Sequence, residues 1–406
     1  MEAPPGQVSD DLPKRVSSVD AYNSPMSSSL SPWKSGPNYW ASCLSVYHPG
    51  LFSSPSNLSS AKPSCVDRWE MPQGQGLFAI TEVTFSNSNK SFVAIGGAIK
   101  LRSRPKRTCE GGFVHLFEIQ DDGKLAFVHT TELPDSCHCL CGFKGMLLAG
   151  SGNRVRLLAL GRQRLLKKCE FKILPRLVVG LSAVDDRVFV STVCNSVFYL
   201  KYRPESNIFQ LFAEDPLPRH ITSSCALDQD SIAFGDKFGT FSAVRISAEV
   251  TSDVEDDPLA YKGLREDSMH LSTSPNLTES LFNFYIGSPV TSLFSLGNVP
   301  GSIMASEVIV CSCFDGSIHV IRPFLSRADA IMIKGVEEFF QNHSESIAPL
   351  GRNHFSFRSR FFPVKNVVDF DLCRLFLELP RETKEAFCAE KNLDLVEVER
   401  ILQDFL

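Results

Sequence analysis

The feature of the sequence that most constrains the fold is a unit that repeats every 41 to 44 residues. Each copy begins with a turn residue and continues as an apolar, β-branched run, and the copies begin at Gly112, Asn153, Asn195, Gly239 and Gly316. Successive copies are 41, 42, 44 and 77 residues apart, and the last interval equals one period plus about 33 polar, acidic residues. A period of 40 to 45 residues rich in Val, Phe, Ile and Tyr is typical of a four-stranded β-propeller blade, whereas solenoid repeats of similar length are helical.

We therefore predict an all-β fold, a β-propeller of about six to seven four-stranded blades with a small C-terminal α-helical domain. Five copies are clear, and weaker strands near 76–97 and 281–296 could raise the count, so the count leaves ring closure open. Near the C-terminus, Asp394 and Glu397 have capping-box spacing at the start of the last of three predicted helices. The predicted domains are a disordered Ser- and Pro-rich segment over 1–35, the propeller over 36–350 with an acidic loop insertion over 247–280, and a strand with a helical cap over 351–406.

Charge and hydropathy exclude several classes of protein. Lys and Arg total 41 against 46 Asp and Glu, so a generally basic nucleic-acid-binding surface is not expected, and any RNA contact should be local and patchy. No apolar run approaches the roughly 18 residues of a membrane span, so we predict no membrane partner. The 13 cysteines are scattered and odd in number, which fits reduced thiols in the cytosol or nucleus.

The pentapeptide CHCLC, residues 137–141, invites a metal-site interpretation. Its cysteines would lie about 6.6 Å apart on one face of a straight strand, whereas sulfurs bound to one zinc ion lie roughly 3.8 Å apart. Alignment on the following strand of each repeat pairs Cys137 with Val178 and Thr222, Cys139 with Gly180 and Ser224, and Cys141 with Ser182 and Ala226. We therefore predict small core residues here, with no metal and no cofactor.

A basic run over residues 100–107 lies between two predicted strands and carries Lys100, Arg102, Arg104, Lys106 and Arg107. Three interpretations stay open, namely a nuclear localisation signal, a contact with RNA phosphates or a partner, and a solvated loop. A second basic stretch, residues 161–172, is typical of a solvated edge strand.

No catalytic constellation stands out in the sequence. The common phosphate-binding, dinucleotide-binding, nucleophile-elbow and zinc-protease motifs do not occur. His115 and His319 occupy the same place in two repeats, which favours a packing role. We therefore predict that the chain is not an enzyme and has no small-molecule substrate.

One segment carries a resemblance to a known family. Residues 356–373, SFRSRFFPVKNVVDFDLC, resemble the C-terminal signature of the family that includes the cleavage-and-polyadenylation factor large subunit and the large damaged-DNA-binding protein. Phe357-Arg-Ser and Asp369-x-Asp-Leu are shared across the family, whereas Trp40-Ala-Ser and Phe362-Pro-Val-Lys-Asn-Val point to its splicing branch, in the splicing factor 3b complex. Further matches to that branch are Gly36-Pro-Asn-Tyr-Trp, Gly111-Gly-Phe-Val, Cys169-Glu, Pro218-Arg, Asp236-Lys-Phe-Gly and Asp253-Val-Glu-Asp-Asp-Pro. The resemblance runs from about residue 36 to the end.

The resemblance implies a non-catalytic, nuclear scaffold in the small nuclear ribonucleoprotein that recognises the intron branch site. Its implied partners are the helical-repeat subunit and the small helical subunit of the splicing factor 3b complex. Family members carry three propellers before a helical domain, and this chain corresponds to the third propeller and that domain. The chain is then either a fragment or split product that docks onto a separate chain with the N-terminal propellers, or a divergent stand-alone protein. Three signature residues are further candidate partner or RNA contacts, Arg358, Arg360 and Lys365, of which Arg358 could instead pair within the cap.

Two other functions compete with the splicing scaffold. The chain could be an adaptor of a cullin-type ubiquitin ligase or a subunit of a cleavage and polyadenylation factor, as other members of the family are. The Trp40-Ala-Ser and Phe362-Pro-Val matches weigh against both. An enzyme built on a propeller would need clustered acids or histidines, which the sequence does not provide.

Overall fold

Twenty-three strands in six sheets make up most of the part of the chain that the structure describes. The structure is a computed structural model and describes residues 12–15, 42–48, 64–72, 74–102, 105–162, 164–172, 174–256, 274, 276–296, 308–342 and 365–404. The predicted predominance of β-structure is confirmed. No helix within these ranges is long and apolar enough to cross a membrane.

The strands are short, and their bounds are as follows. They are β1 (Lys14–Arg15), β2 (Cys43–His48), β3 (Ser64–Glu70), β4 (Gln75–Thr84), β5 (Ser91–Ile99), β6 (Gly111–Ile119), β7 (Leu125–Leu133), β8 (Cys137–Phe143), β9 (Met146–Ser151), β10 (Arg154–Leu160), β11 (Leu165–Phe171), β12 (Val178–Val184), β13 (Arg187–Thr192), β14 (Val197–Arg203), β15 (Ile208–Glu214), β16 (Ile221–Ala226), β17 (Ser231–Asp236), β18 (Thr240–Arg245), β19 (Asn276–Leu277), β20 (Glu279–Tyr285), β21 (Val290–Leu296), β22 (Val308–Cys313) and β23 (Ile318–Ile321).

The strand orders follow the chain in most sheets. They are β1-β3-β2, β4-β5-β6-β7, β8-β9-β10-β11, β12-β13-β14-β15-β19, β16-β17-β18-β20 and β21-β22-β23. The repeated unit of the sequence corresponds to the third strand of five of these sheets, because its copies run into β6, β10, β14, β18 and β23. The strands predicted from the repeat are therefore confirmed.

The chain forms two compact units, residues 1–193 with 199–211, and residues 194–198 with 212–406. In the first unit, apolar side chains of β4–β7 and β8–β11 share one core, which includes Phe92, Val114, Cys137 and Leu147. A second core of this unit joins β2 and β3 to β4–β7. In the second unit, the sheet β16-β17-β18-β20 packs against the sheet β21-β22-β23, and the C-terminal helices enclose a core of their own.

The first strand of five sheets carries the same irregularity near its beginning. The register skips one residue of the first strand, so that its two neighbours pair with consecutive residues of the second strand. The skipped residues are Phe78 in β4, His138 in β8, Val179 in β12, Thr222 in β16 and Thr291 in β21. Such a bulge bends the strand and re-aims a side chain.

Opposite each bulge the second strand carries Gly or Ser, and at two glycines the reason is a close approach. A Cβ on Gly150 would lie 2.4 Å from Cys139 Sγ and 2.9 Å from Val178 Cγ1. A Cβ on Gly235 would lie 2.3 Å from the Cβ of Val290. Within each unit, the second strand of one sheet therefore lies against the first strand of the next.

The positions of the bulges align the repeats with one another. They show that the alignment predicted from the sequence is wrong by one residue in β16. Cys137 corresponds to Val178, as predicted, but to Ile221 rather than Thr222. The shift arises because β16 and β17 are joined by a three-residue turn, 228–230, whereas β8 and β9 are joined by two residues, 144–145. Cys139 and Cys141 therefore correspond to Ser223 and Cys225 rather than to Ser224 and Ala226.

Five helical segments are described, α1 (Ala248–Asp256), α2 (Arg327–Asn342), α3 (Phe370–Cys373) with a following 3-10 turn (Arg374–Glu378), α4 (Arg381–Lys391) and α5 (Leu395–Asp404). The last three helices match the predicted cap, and the side chain of Asp394 accepts a hydrogen bond of 3.1 Å from Val396 N at the start of α5. The predicted boundary at residue 351 is too late, because α2 already packs into the helical core through Ile333, Val336 and Phe340.

Two other predicted segments are partly wrong. In the segment predicted to be disordered over 1–35, Lys14 and Arg15 form a strand with β3, because a buried carboxylate on β3 binds the arginine. In the insertion predicted as a loop over 247–280, Ala248–Asp256 is helical, and Asn276–Leu277 pairs with β15. Glu279 and Ser280, the last two residues of the insertion, begin β20, which the sequence had placed as a strand near 281.

Candidate partner-binding surface

Two bulged residues of the first unit bring an aromatic and an imidazole ring together. Phe78 and His138 lie at the beginnings of β4 and β8, and their ring centroids are 4.6 Å apart. The side chain of Phe78 is 44% exposed, so the pair faces solvent on one side. A loop between β5 and β6 adds Arg107, whose Nη2 lies 2.8 Å from His138 Nε2. We call Phe78, His138 and the described basic residues of that loop, Lys100, Arg102, Lys106 and Arg107, the basic rim.

The loop of the basic rim is a closed hairpin. Arg102 and Thr108 exchange backbone hydrogen bonds of 2.8 and 3.0 Å, which join the two ends of the loop. Lys100 has φ of 47°, and its Nζ forms an ion pair of 2.9 Å with Glu110. Lys100, Arg102, Lys106 and Arg107 are all exposed. The four described cations of the loop therefore face solvent, and Lys100 does so while paired with Glu110.

The electrostatics of His138 favour a neutral imidazole. Burial, followed by the nearby charge of Arg107, lowers the pKa of His138 to about 4. Because a guanidinium can only donate, the 2.8 Å contact assigns the lone pair to Nε2 of the ring. A neutral ring that packs against Phe78 at an interplanar angle of 39°, beside exposed guanidinium groups, offers aromatic surface and positive charge to a ligand, as nucleobases with phosphates require.

Of the remaining predicted site residues, the structure describes Lys365, which belongs to the second unit. Lys365 bridges Asn283 of β20 by backbone hydrogen bonds of 3.0 and 3.1 Å, and its Nζ donates to the carbonyl of Ser280. These contacts give Lys365 a role inside the second unit, and its contact with a partner stays a prediction. Arg104, Arg358 and Arg360 lie outside the described residues.

The CHCLC segment is part of the core, as predicted. Cys137 and Cys139 are buried on β8, and Cys141 is half-buried. Burial raises the pKa of Cys137 to about 12 and that of Cys139 well above its ordinary value. Among the described residues, no three Cys, His, Asp or Glu side chains are placed to hold a metal ion.

The second basic stretch forms an ion-pair network on the edge strand β11. Glu170 accepts a hydrogen bond of 2.8 Å from Arg156, and Lys167 and Lys172 lie 3.6 Å from it. Burial raises the pKa of Glu170, but these cations outweigh that effect and lower it overall. Lys167 and Lys172 of this stretch are therefore paired within the sheet.

Sequence reasoning missed the two rings of the basic rim. His138 belongs to the CHCLC motif, but that motif was considered only as a possible set of metal ligands. The bulge that turns His138 toward Phe78 is not visible in the alternation of residue types. A usable signal was the small residue that recurs at the fifth or sixth position of the second strand, because Gly96 and Gly150 mark the bulges opposite them.

The chain is similar in sequence to one protein family and to several known proteins. Residues 54–378 match the model of the CPSF A subunit region family. The chain is 33% identical over 377 residues to "Splicing factor 3B subunit 3" of Danio rerio, covering 91% of this chain and 29% of that protein. It is 31% identical over 367 residues to "Spliceosome-associated protein 130 A" of Arabidopsis thaliana, covering 90% and 29%. It is also 31% identical over 371 residues to "Pre-mRNA-splicing factor rse1" of Emericella nidulans, covering 91% and 29%. The chain thus spans less than a third of the length of these relatives.

Proposed function

Because the chain belongs to the CPSF A subunit region family, with relatives named as splicing factors, we propose that it is a non-catalytic protein-interaction scaffold of the splicing factor 3b complex. In this role it acts in pre-mRNA splicing, in the nucleus, within the small nuclear ribonucleoprotein that recognises the branch site. The expected partners are the helical-repeat and small helical subunits of that complex.

The observation that carries the proposal is the recurrence of one sheet design. Five sheets share a bulged first strand and a small residue opposite the bulge on the second strand. We propose that these sheets are blades of a β-propeller, with the helices α2 to α5 as its cap. Repeated blades present loops and strand ends to partners. In this proposal the buried polar groups of the sheets contribute to packing and do not form a reaction centre.

The test is purification of the chain from its native cells with a tag inserted at its own gene, followed by quantitative mass spectrometry. We expect splicing factor 3b subunits, including the helical-repeat subunit, to be enriched together with branch-site RNA. A chain that supplies the other propellers would be recovered in the same fraction. Enrichment of a cullin, or of cleavage and polyadenylation subunits without splicing factors, would refute the proposal.

We further propose that the basic rim contacts RNA phosphates. Arg102 and Lys106 are exposed on the hairpin, so Arg102→Ala with Lys106→Ala removes two charges without touching the Arg107 to His138 contact. For single-stranded RNA, each lost phosphate contact makes the negative slope of log K against log salt less steep by about 0.7. The double variant should therefore make this slope less steep by roughly 1.4 in fluorescence anisotropy titrations.

The matched control for this measurement is Lys167→Ala with Lys168→Ala on β11. It removes the same charge from exposed positions of the same unit. If both double variants change the slope equally, the contact is general electrostatics and the basic rim is not the RNA site.

A further inference from the structure

The N-terminal residues 12–15 dock onto the free side of a small sheet in the first unit. β3 is the central strand of this sheet, with β2 on one side and β1 on the other. Lys14 and Arg15 pair antiparallel with Glu70 and Trp69, and Pro13 is buried against the unit. The segment is therefore bound as an added strand, a common mode of peptide recognition.

The anchor of this segment is the carboxylate of Asp67, which is built into the unit independently of β1. Asp67 is 3% exposed. Its oxygens accept hydrogen bonds from the backbone N–H of Leu125 and Arg68, both at 3.0 Å, and from Nε1 of Trp69 at 3.2 Å. Three donors outside β1 thus hold the carboxylate in one orientation.

The charge of Asp67 is maintained despite its burial. Burial raises its pKa, but the hydrogen bonds from Arg15, Leu125 and Trp69 outweigh that effect and lower the pKa below its ordinary value. Two of these three donors, Leu125 and Trp69, lie outside β1, so they still hold the carboxylate when Arg15 leaves. A buried, ionised and oriented carboxylate is a receptor for a guanidinium.

Arg15 has the geometry of a ligand in that receptor. Its Nε and Nη2 lie 2.8 and 2.9 Å from the two oxygens of Asp67, a bidentate pair that lysine cannot form. Its guanidinium carbon lies 5.9 Å from the ring centroid of Trp69. The side chain of Arg15 nevertheless remains 43% exposed, whereas that of Asp67 is 3% exposed. The receptor is buried and its ligand is open to water.

We propose that the edge of β3 around Asp67 is a binding site for extended, arginine-bearing peptide segments, which residues 12–15 occupy as a tethered and exchangeable ligand. The site takes an extended segment with an arginine opposite Trp69 and an apolar residue two positions earlier, where Pro13 lies. Such a segment of a partner protein would displace β1 and add a strand in its place. This inference does not depend on the proposed role in splicing.

The small size of the contact makes exchange feasible. β1 contributes two residue pairs to the ladder. Its further advantage over a free peptide comes from its covalent connection to the sheet through residues 16–41. Linked ligands compete at an effective concentration on the order of millimolar. A free peptide should therefore bind poorly to the wild-type chain and well to a chain whose own arginine has been removed.

The test uses the full-length chain and a fluorescent peptide with the sequence of residues 9–18. In anisotropy titrations we expect the Arg15→Ala chain to bind this peptide at least about tenfold more tightly than the wild-type chain. A peptide with citrulline in place of Arg15 is the matched control, since it keeps the shape but loses the charge and should bind at least about tenfold more weakly. A peptide with lysine at that position should lie between the two.

Location is checked by hydrogen exchange, which should show protection of residues 64–70 when the peptide binds the Arg15→Ala chain. Equal binding of the arginine and citrulline peptides, equal binding to the two chains, or no binding to either would each overturn the inference. The citrulline comparison changes only the peptide. It therefore needs no substitution of Asp67, which could prevent the chain from folding.

Discussion

Replacement of Arg219 by methionine should destabilise the second unit more than any other single charge removal on its sheets. Arg219 is 1% exposed, and its guanidinium donates to Asp215 Oδ2 at 3.1 Å, to Ser242 Oγ at 2.7 Å and to Asn283 Oδ1 at 3.3 Å. The same group lies 5.2 Å from the ring centroid of Phe234. Methionine fills a similar volume but leaves Asp215, 2% exposed, without its cation.

The magnitude follows from the burial of both partners. Removal of one member of a buried ion pair costs about 3 to 5 kcal/mol, because the remaining charge is uncompensated. A loss of about 4 kcal/mol corresponds to roughly a thousandfold in the folding equilibrium. Arg245→Met is the matched control, since its ion pair of 2.9 Å with Asp228 is about half exposed on both sides. Exposed pairs contribute about 0 to 1 kcal/mol.

Hydrogen exchange with mass spectrometry is the suitable assay, because it reports each unit separately. The slowest amides of β16 to β18 should exchange roughly a thousandfold faster in Arg219→Met and within about fivefold of wild type in Arg245→Met. The loss should shrink toward pH 5. Burial raises the pKa of Asp236 and the charge of Arg219 opposes this, so without Arg219 the folded state binds a proton more readily. An increase below about fivefold in Arg219→Met at pH 7 would refute the reasoning.

Three further predictions concern single buried groups. Burial lowers the pKa of His115 to about 4. The contribution of His115 to the free energy of unfolding should therefore be constant above pH 6.5 and fall by roughly 2 to 3 kcal/mol between pH 6.5 and 4. Urea titrations at several pH values would show this fall, and His115→Gln should reduce it. Gly235→Ala should cost about 1 to 3 kcal/mol, because its Cβ would overlap Val290, and thermal melts would detect the loss. Native chain should be modified by a thiol reagent at the exposed Cys43 within minutes, whereas Cys137 should react only after unfolding, as peptide mapping would show.

The sequence predicted the central strands of the sheets best, for a physical reason. β13 and β17 are buried along their whole length, so they appear as continuous apolar runs that a repeat search finds. The first strands are more exposed and mixed, as in VVGLSAV and ITSSCA, and their patterns are weaker. The bulges and the one-residue difference in turn length are invisible in composition, which explains the slip in our alignment at Ile221.

The helix α2 and the basic rim show two different limits of sequence reasoning. Ile333, Val336 and Phe340 have helical spacing, so α2 was available in the sequence but was assigned to the propeller by extension of the repeat. The contact of Phe78 with His138 joins residues 60 positions apart through two bulges and could not be inferred from local patterns. The cations of the rim were predicted, but the ion pair of Lys100 with Glu110 and the pairing of Arg102 with Thr108 depend on the hairpin.

Among the described residues, the buried carboxylates of Asp215 and Asp67 each bind an arginine, and the exposure of that arginine separates structure from recognition. Arg219 and Asp215 are 1% and 2% exposed, so neither can leave without exposing the other charge to an apolar interior. Arg219 belongs to the Pro218-Arg match and lies near Asp236 of the Asp236-Lys-Phe-Gly match, as the effect of each charge on the other's pKa indicates. That part of the family resemblance therefore records packing. Arg15 and Asp67 are 43% and 3% exposed, and Arg15 lies before the segment matched by the family model. A fixed receptor with a half-exposed ligand can exchange that ligand, so partner choice at this edge can vary while the fold is kept.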